Sequence, residues 1–105
     1  MPSHNHPSIT AIIYDKRGRI LSIGKNSYIK THPYQKKLAC KCGFPDRIFM
    51  HAEIQAILKC KNIDKAYRIF VSRYSSDGKP KNAKPCPICT EAIKLAGIQH
   101  ITYTI

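Results

Sequence analysis

Two short stretches carry residue types that bind metals or move protons, at spacings a helix would use: His51-Ala52-Glu53 and Pro85-Cys86-Pro87-Ile88-Cys89. In the second, the cysteines are three apart, which puts both sulfurs on one face of a helix. With prolines opening that helix, its free N–H groups stabilise thiolate and lower the thiol pKa. Two thiolates so placed are good zinc ligands. The motif alone is ambiguous, because a CxxC also serves in structural zinc ribbons and in redox pairs. A ribbon needs a second CxxC, whereas Cys40 and Cys42 are spaced CxC. A thioredoxin-like pair follows the first strand of its unit, whereas this one has a single strand left after it. In the first stretch, an imidazole and a carboxylate stand where the apolar segment "FMHAEIQAILKC", Phe49 to Cys60, should begin its helix. They are either a polar cap on a structural helix or half of a reactive site.

The elements that must position these residues can be read from periodicity. Ile9–Tyr14 is β-branched and apolar, and "ILSIGKN" (Ile20–Asn26) alternates, so the two predict an antiparallel hairpin turning at Gly18. Between Ser27 and Phe49 the prolines and charges predict loop, with room for a short helix in "PYQKKLACKC". A helix follows from about His51 to Cys60 or Lys61, with Ala52, Ala56, Ile57 and Cys60 available for one face. Ala66–Tyr74 reads as a strand, "SSDGKPKNAK" as a loop, "PCPICTEAIKLAG" as a helix closing at Gly97, and Ile98–Ile105 as the last strand. The order is β-β-α-β-α-β. It predicts a mixed α/β sheet in which the last strands are parallel and joined by helical crossovers. In such a unit the N-termini of the two crossover helices lie at one edge of the sheet, so His51 is brought beside Cys86 and Cys89. Three protein ligands leave one tetrahedral position open, the mark of a catalytic zinc. Glu53, two residues on, is not needed as a ligand and is placed to move protons.

The whole chain sets bounds on this reading. Its 105 residues predict one domain over 1–105, with residues 1–8 a loose polar lead-in, and a core small enough to benefit from a bound metal. No apolar run is long enough for a signal peptide or a membrane span, which predicts a cytoplasmic protein with no membrane partner. Five cysteines without a secretion signal read as thiols or metal ligands rather than a disulfide framework. Eighteen Lys and Arg against six Asp and Glu give +12, spread along the chain. That balance suits polyanions, and it equally suits a protein kept soluble by its charge.

"HAE" followed by "PCPIC" resembles the H-x-E…P-C-x-x-C signature of the cytidine deaminase superfamily, and the element order from Ile9 to Ile105 is similar too. The resemblance implies a three-layer α-β-α sandwich with zinc on His51, Cys86 and Cys89 and Glu53 as the catalytic proton shuttle. It implies hydrolytic deamination of an amino-bearing base. The backbone around Ala52 and Lys84 would contact the base, and Asn26 a sugar hydroxyl, against its plain reading as a turn residue. A His as first ligand is similar to the deoxycytidylate, tRNA-adenosine, guanine and polynucleotide deaminases, and the small size to compact members encoded by bacteriophages. The expected substrate is cytosine, on a CMP- or dCMP-type nucleotide or in single-stranded nucleic acid. Adenine in tRNA or DNA is the alternative enzyme reading, and a catalytically silent zinc module that holds nucleic acid is the alternative class. A homo-oligomer is expected, as in many relatives.

Several residues stand outside this constellation. His32, Cys40 and Cys42 read as a solvated His and free thiols rather than a second zinc site. Cys60 is a core residue, and His100 a strand residue. Tyr28, Tyr34 and Phe44 serve local packing or base stacking. For Arg73 and Tyr74, beyond the third strand's middle, the alternatives are contact with a phosphate or exposure to solvent.

Overall fold

The computed structural model describes residues 8–27, 29–45, 49–75 and 77–105, so His4, His6 and Tyr28 lie outside the described residues. Strand β1 (Ser8–Tyr14) pairs antiparallel with β2 (Ile20–Lys25) on one side and with β3 (Arg68–Tyr74) on the other. The β1–β2 turn is held by Asp15, whose Oδ1 accepts from the N–H groups of Arg17 and Arg19, both at 2.9 Å. Gly18 supplies the positive φ of +83° that the turn requires. The outer edge of β3 is shared. The last strand, β5 (His100–Tyr103), runs parallel to it along Arg68–Val71, and a two-residue strand, β4 (Pro80–Lys81), pairs antiparallel with Arg73 and Tyr74. The sheet is therefore mixed, with the parallel pairing that the element order predicts.

The described residues form three α-helices, α1 (Pro33–Lys41), α2 (Ala52–Lys59) and α3 (Pro87–Leu95), of which α2 and α3 pack on the sheet. The predicted β-β-α-β-α-β series is present, with α1 and β4 added inside the two long connections. Alternation along β1 and β3 puts Ala11, Ile13, Ile69 and Val71 on one face, and Ala52, Ala56 and Cys60 of α2 and Ile93 of α3 pack there. Leu38 and Ala39 of α1 join a second cluster with Ile54 of α2 and Ile88 and Ala92 of α3. The mixed α/β architecture is the one expected from the element order. Among the described residues, no helix covers the opposite face, which carries Thr10, Ile12 and Phe70. Topology supplies the reason. The connections β2-α2-β3 and β3-α3-β5 step across the sheet in the same direction, so crossovers of one hand leave both helices on one side.

Helix α2 lies unusually close to β2. A Cβ added at Gly24 would come 2.4 Å from the Ala52 carbonyl oxygen and 2.4 Å from the Ala56 nitrogen, both backbone atoms with no freedom to yield. Two bonds fix the contact: the Ser22 hydroxyl donates to the Ala56 carbonyl at 2.8 Å, and the Lys25 N–H donates to Gln55 Oε1 at 2.8 Å. Gly24→Ala is expected to destabilise the fold by about 3 kcal/mol through overpacking, read as a fall in the denaturant midpoint at unchanged slope. An unchanged midpoint would show that α2 can retreat from β2 at no cost.

Candidate active site

Both crossover helices start at the same end of the sheet, and a chemically active residue occupies each N-cap. His51 caps α2 with φ −82° and ψ 153°, and Cys86 caps α3 with φ −70° and ψ 169°. This extended backbone is the usual N-cap geometry, but the His51 side chain makes no capping hydrogen bond to its helix. His51 is therefore not a polar cap. Its Nδ1 faces Cys89 Sγ at 3.2 Å and Cys86 Sγ at 3.5 Å. Cys86 and Cys89 share a face as the spacing predicts, with Pro87 in the first turn, where its missing N–H costs nothing.

The three ligand atoms lie within 4.8 Å of one another, and among the described residues no other three His, Cys, Asp or Glu side chains do so. A tetrahedral zinc bonded at ~2.0–2.3 Å spaces its ligand atoms by roughly 3.5 Å. The His51–Cys86 and His51–Cys89 separations match that spacing, and the donor set of one imidazole and two thiols matches the metal. The thiols are also electrically prepared. The hydrogen bond from Cys89, helped by that from His51, holds Cys86 down to about 4 against the burial that would raise it. Cys89 is pushed up by the same bond to Cys86 and by its complete burial. Thiolate and thiol thus share a proton where a cation would satisfy both sulfurs.

Glu53, in the first turn of α2, is only 6 % exposed. Burial raises its carboxyl above the ordinary range. Its own backbone N–H opposes that rise, the negative Cys86 adds to it, and His51 opposes it. A carboxyl of this kind holds a proton more firmly than a surface glutamate and releases it within an enclosed site. The cluster opens into a cavity of about 340 Å³ whose walls include Ile9, Phe49, Met50 and Ala83. All three residues expected to touch substrate line it: Asn26, Ala52 and Lys84. Asn26 is also structural, because its Oδ1 accepts from the Ile9 N–H at 3.1 Å and secures the end of the β1–β2 pair. Lys84 sits in a local turn closed by its N–H donating to Asn82 Oδ1 at 2.9 Å.

The remaining expectations divide cleanly. His32 caps α1, accepting at Nδ1 from the Tyr34 N–H at 3.0 Å, and neither Cys40 nor Cys42 joins it in a ligand group. Cys60 is buried in the sheet-facing core, and His100 stacks on Tyr67 with ring centroids 4.6 Å apart. Tyr34 and Phe44 pack against the second cluster, the local role, while Arg73 lines the cavity. Sequence reasoning missed Gln35. It is fully buried on α1, and its Oε1 accepts from the backbone N–H of His51 at 3.2 Å. A lone polar residue inside the apolar stripe of a short helix was the only available signal. Replacing it removes this acceptor from the His51 N–H inside an apolar site. Gln35→Leu is expected to weaken zinc binding by roughly 10-fold, as loss of supporting contacts around a metal does, measured by competition with a chromophoric chelator. Affinity equal to the parent's would show that His51 is set by α2 alone.

Residues 2–105 match the family model described as the cytidine and deoxycytidylate deaminase zinc-binding region. A search of curated proteins gives no match. The family match spans every strand and helix described above and agrees with a ligand cluster identified from distances alone. The chain belongs to the cytidine and deoxycytidylate deaminase zinc-binding family, and His51, Cys86 and Cys89 are the group within it that fits the metal.

Proposed function

We propose that the chain is a zinc-dependent hydrolytic deaminase that converts cytosine to uracil, on a nucleotide of the CMP or dCMP type or in single-stranded nucleic acid. The observation that carries this reading is Glu53, a buried carboxyl beside the His51–Cys86–Cys89 cluster at the wall of the cavity. A structural metal site has no use for such a group, since a buried carboxyl costs stability unless it works. When bound, zinc supplies a Lewis acid that makes water nucleophilic near neutral pH.

The protein's own residues supply the rest. His51, Cys86 and Cys89 hold the metal at the joined helix ends. Glu53 accepts the proton that water loses and delivers protons to the ring nitrogen and to the departing amine. Water is consumed, ammonia leaves, and a carbonyl replaces the amine. The raised pKa of Glu53 suits both halves of this transfer, because the group is basic enough to take a proton and acidic enough to return it. The backbone at Ala52 and Lys84 borders the base, Asn26 the sugar, and the apolar wall of Ile9, Phe49 and Met50 keeps bulk water from the reacting carbon. The net charge of +12 favours a substrate that carries phosphate.

A mass-spectrometric screen of the zinc-loaded chain with CMP, dCMP, cytidine, guanine, single-stranded DNA and tRNA tests the proposal. Uracil products are expected. Glu53→Ala is expected to retain zinc and the fold while losing at least ~10³-fold in turnover. Turnover that survives in Glu53→Ala would remove Glu53 from the mechanism. Inosine products would move the activity to adenine.

A further inference from the structure

Among the described residues lining the cavity, Arg73 is the one with a buried side-chain polar atom left without a partner. On β3 it follows Ile69 and Val71 on the same side of the strand, so it lies on the helix-bearing face at the end where α2 and α3 begin. Its register partner on β1 is Ile9, which lines the same cavity. Its backbone is tightly held. The Arg73 N–H donates to Thr104 Oγ1 at 3.0 Å, and that hydroxyl donates to the Lys81 carbonyl at 2.6 Å. The Thr104 N–H in turn donates to the Val71 carbonyl at 3.0 Å, and its carbonyl accepts from the Ala83 N–H at 2.8 Å. Thr104 thereby ties together the point where β4 and β5 diverge from β3.

The side chain, by contrast, makes no hydrogen bond or ion pair among the described residues. Its Nε is buried without a partner, and no other buried side-chain nitrogen or oxygen described is in that position. The ion pairs among the described residues, Asp15–Arg19, Glu91–Lys41 and Asp77–Lys79, all lie outside the cavity. A guanidinium on a well-held backbone, with a buried Nε that has no protein acceptor, costs stability unless a ligand supplies one. Its planar fork matches two oxygens of a phosphate, and Lys84 adds a second positive charge to the same cavity.

We propose that Arg73 is the phosphate-recognising residue of the cavity, so that this chain selects a nucleotide over the free base or nucleoside. The inference rests on the deaminase reading for the identity of the base, but not for the phosphate. The amino-bearing ring lies at the Glu53 end, and the phosphate at the Arg73 end. The shared chemistry is a nucleotide phosphate, whether the 5′-phosphate of a mononucleotide or a phosphate of a single strand.

The test is calorimetric titration of the zinc-loaded full chain carrying Glu53→Gln, which binds without turnover. The ligands are dCMP against deoxycytidine, dAMP against deoxyadenosine, a single-stranded oligonucleotide, and inorganic phosphate alone. The phosphorylated member of at least one pair should bind roughly 10-fold or more tightly, the value of a charge-assisted bidentate contact. Adding Arg73→Ala should abolish that preference and leave the nucleoside unchanged, and Arg73→Lys should restore part of it. Arg73→Gln, planar and uncharged, serves if Arg73→Ala does not fold, and should behave like it. Loss of the preference with dCMP assigns a mononucleotide phosphate, and loss only with the oligonucleotide assigns the strand. Equal affinity for both members of each pair, or equal weakening of both by Arg73→Ala, overturns the proposal. A chain that deaminates nothing but binds phosphate through Arg73 refutes the reaction and leaves the phosphate site standing.

Discussion

The closest constraint in the fold is the contact of α2 with β2 at Gly24, backbone against backbone. No side chain separates the helix from the strand there, so the position of α2 is set by atoms that cannot change rotamer. Ser22 and Gln55 lock the same junction from either side. His51 and Glu53 lie at the start of that helix and inherit its precision. The opposing pair, Cys86 and Cys89, depends on α3, which packs on the same sheet face through Ile93. The metal cluster is thus the meeting point of two helices, each registered independently against one sheet.

The electrostatics follow from the same arrangement. Two helix N-termini converge, and their unpaired N–H groups favour negative charge. That field suits the Cys86 thiolate, whose pKa is held low. Burial acts in opposite senses on neighbouring groups. It raises Glu53 and Cys89, while hydrogen bonds overcome it at Cys86. A carboxyl and a thiol one helix end apart therefore differ in charge state within one small volume.

Much of the chemistry was legible in the sequence because it is written locally. The CxxC spacing fixes two sulfurs on one helical face, and the strand-helix alternation implies the parallel β3–β5 pair and the shared helix edge. Features that depend on contacts between distant segments were not legible. Gly24 reads as a strand glycine until the helix above it is known. Gln35 reads as a surface residue of a short basic segment, yet it is buried against His51. Arg73 left two readings open because the alternation of β3 does not say what faces it. The direction of the two crossovers, which stacks α2 and α3 on one face of the sheet, follows from strand order and is likewise a long-range property.

The distance between the ligands along the chain has a consequence for how the molecule assembles. Cys86 and Cys89 are three residues apart and can hold an ion in a chain with no tertiary structure. His51 meets Cys86 across 35 residues, and that span includes all of α2 and β3. Zinc held by all three residues would clip that long loop in the manner of a cross-link, and would thereby couple retention of the metal to the folded state.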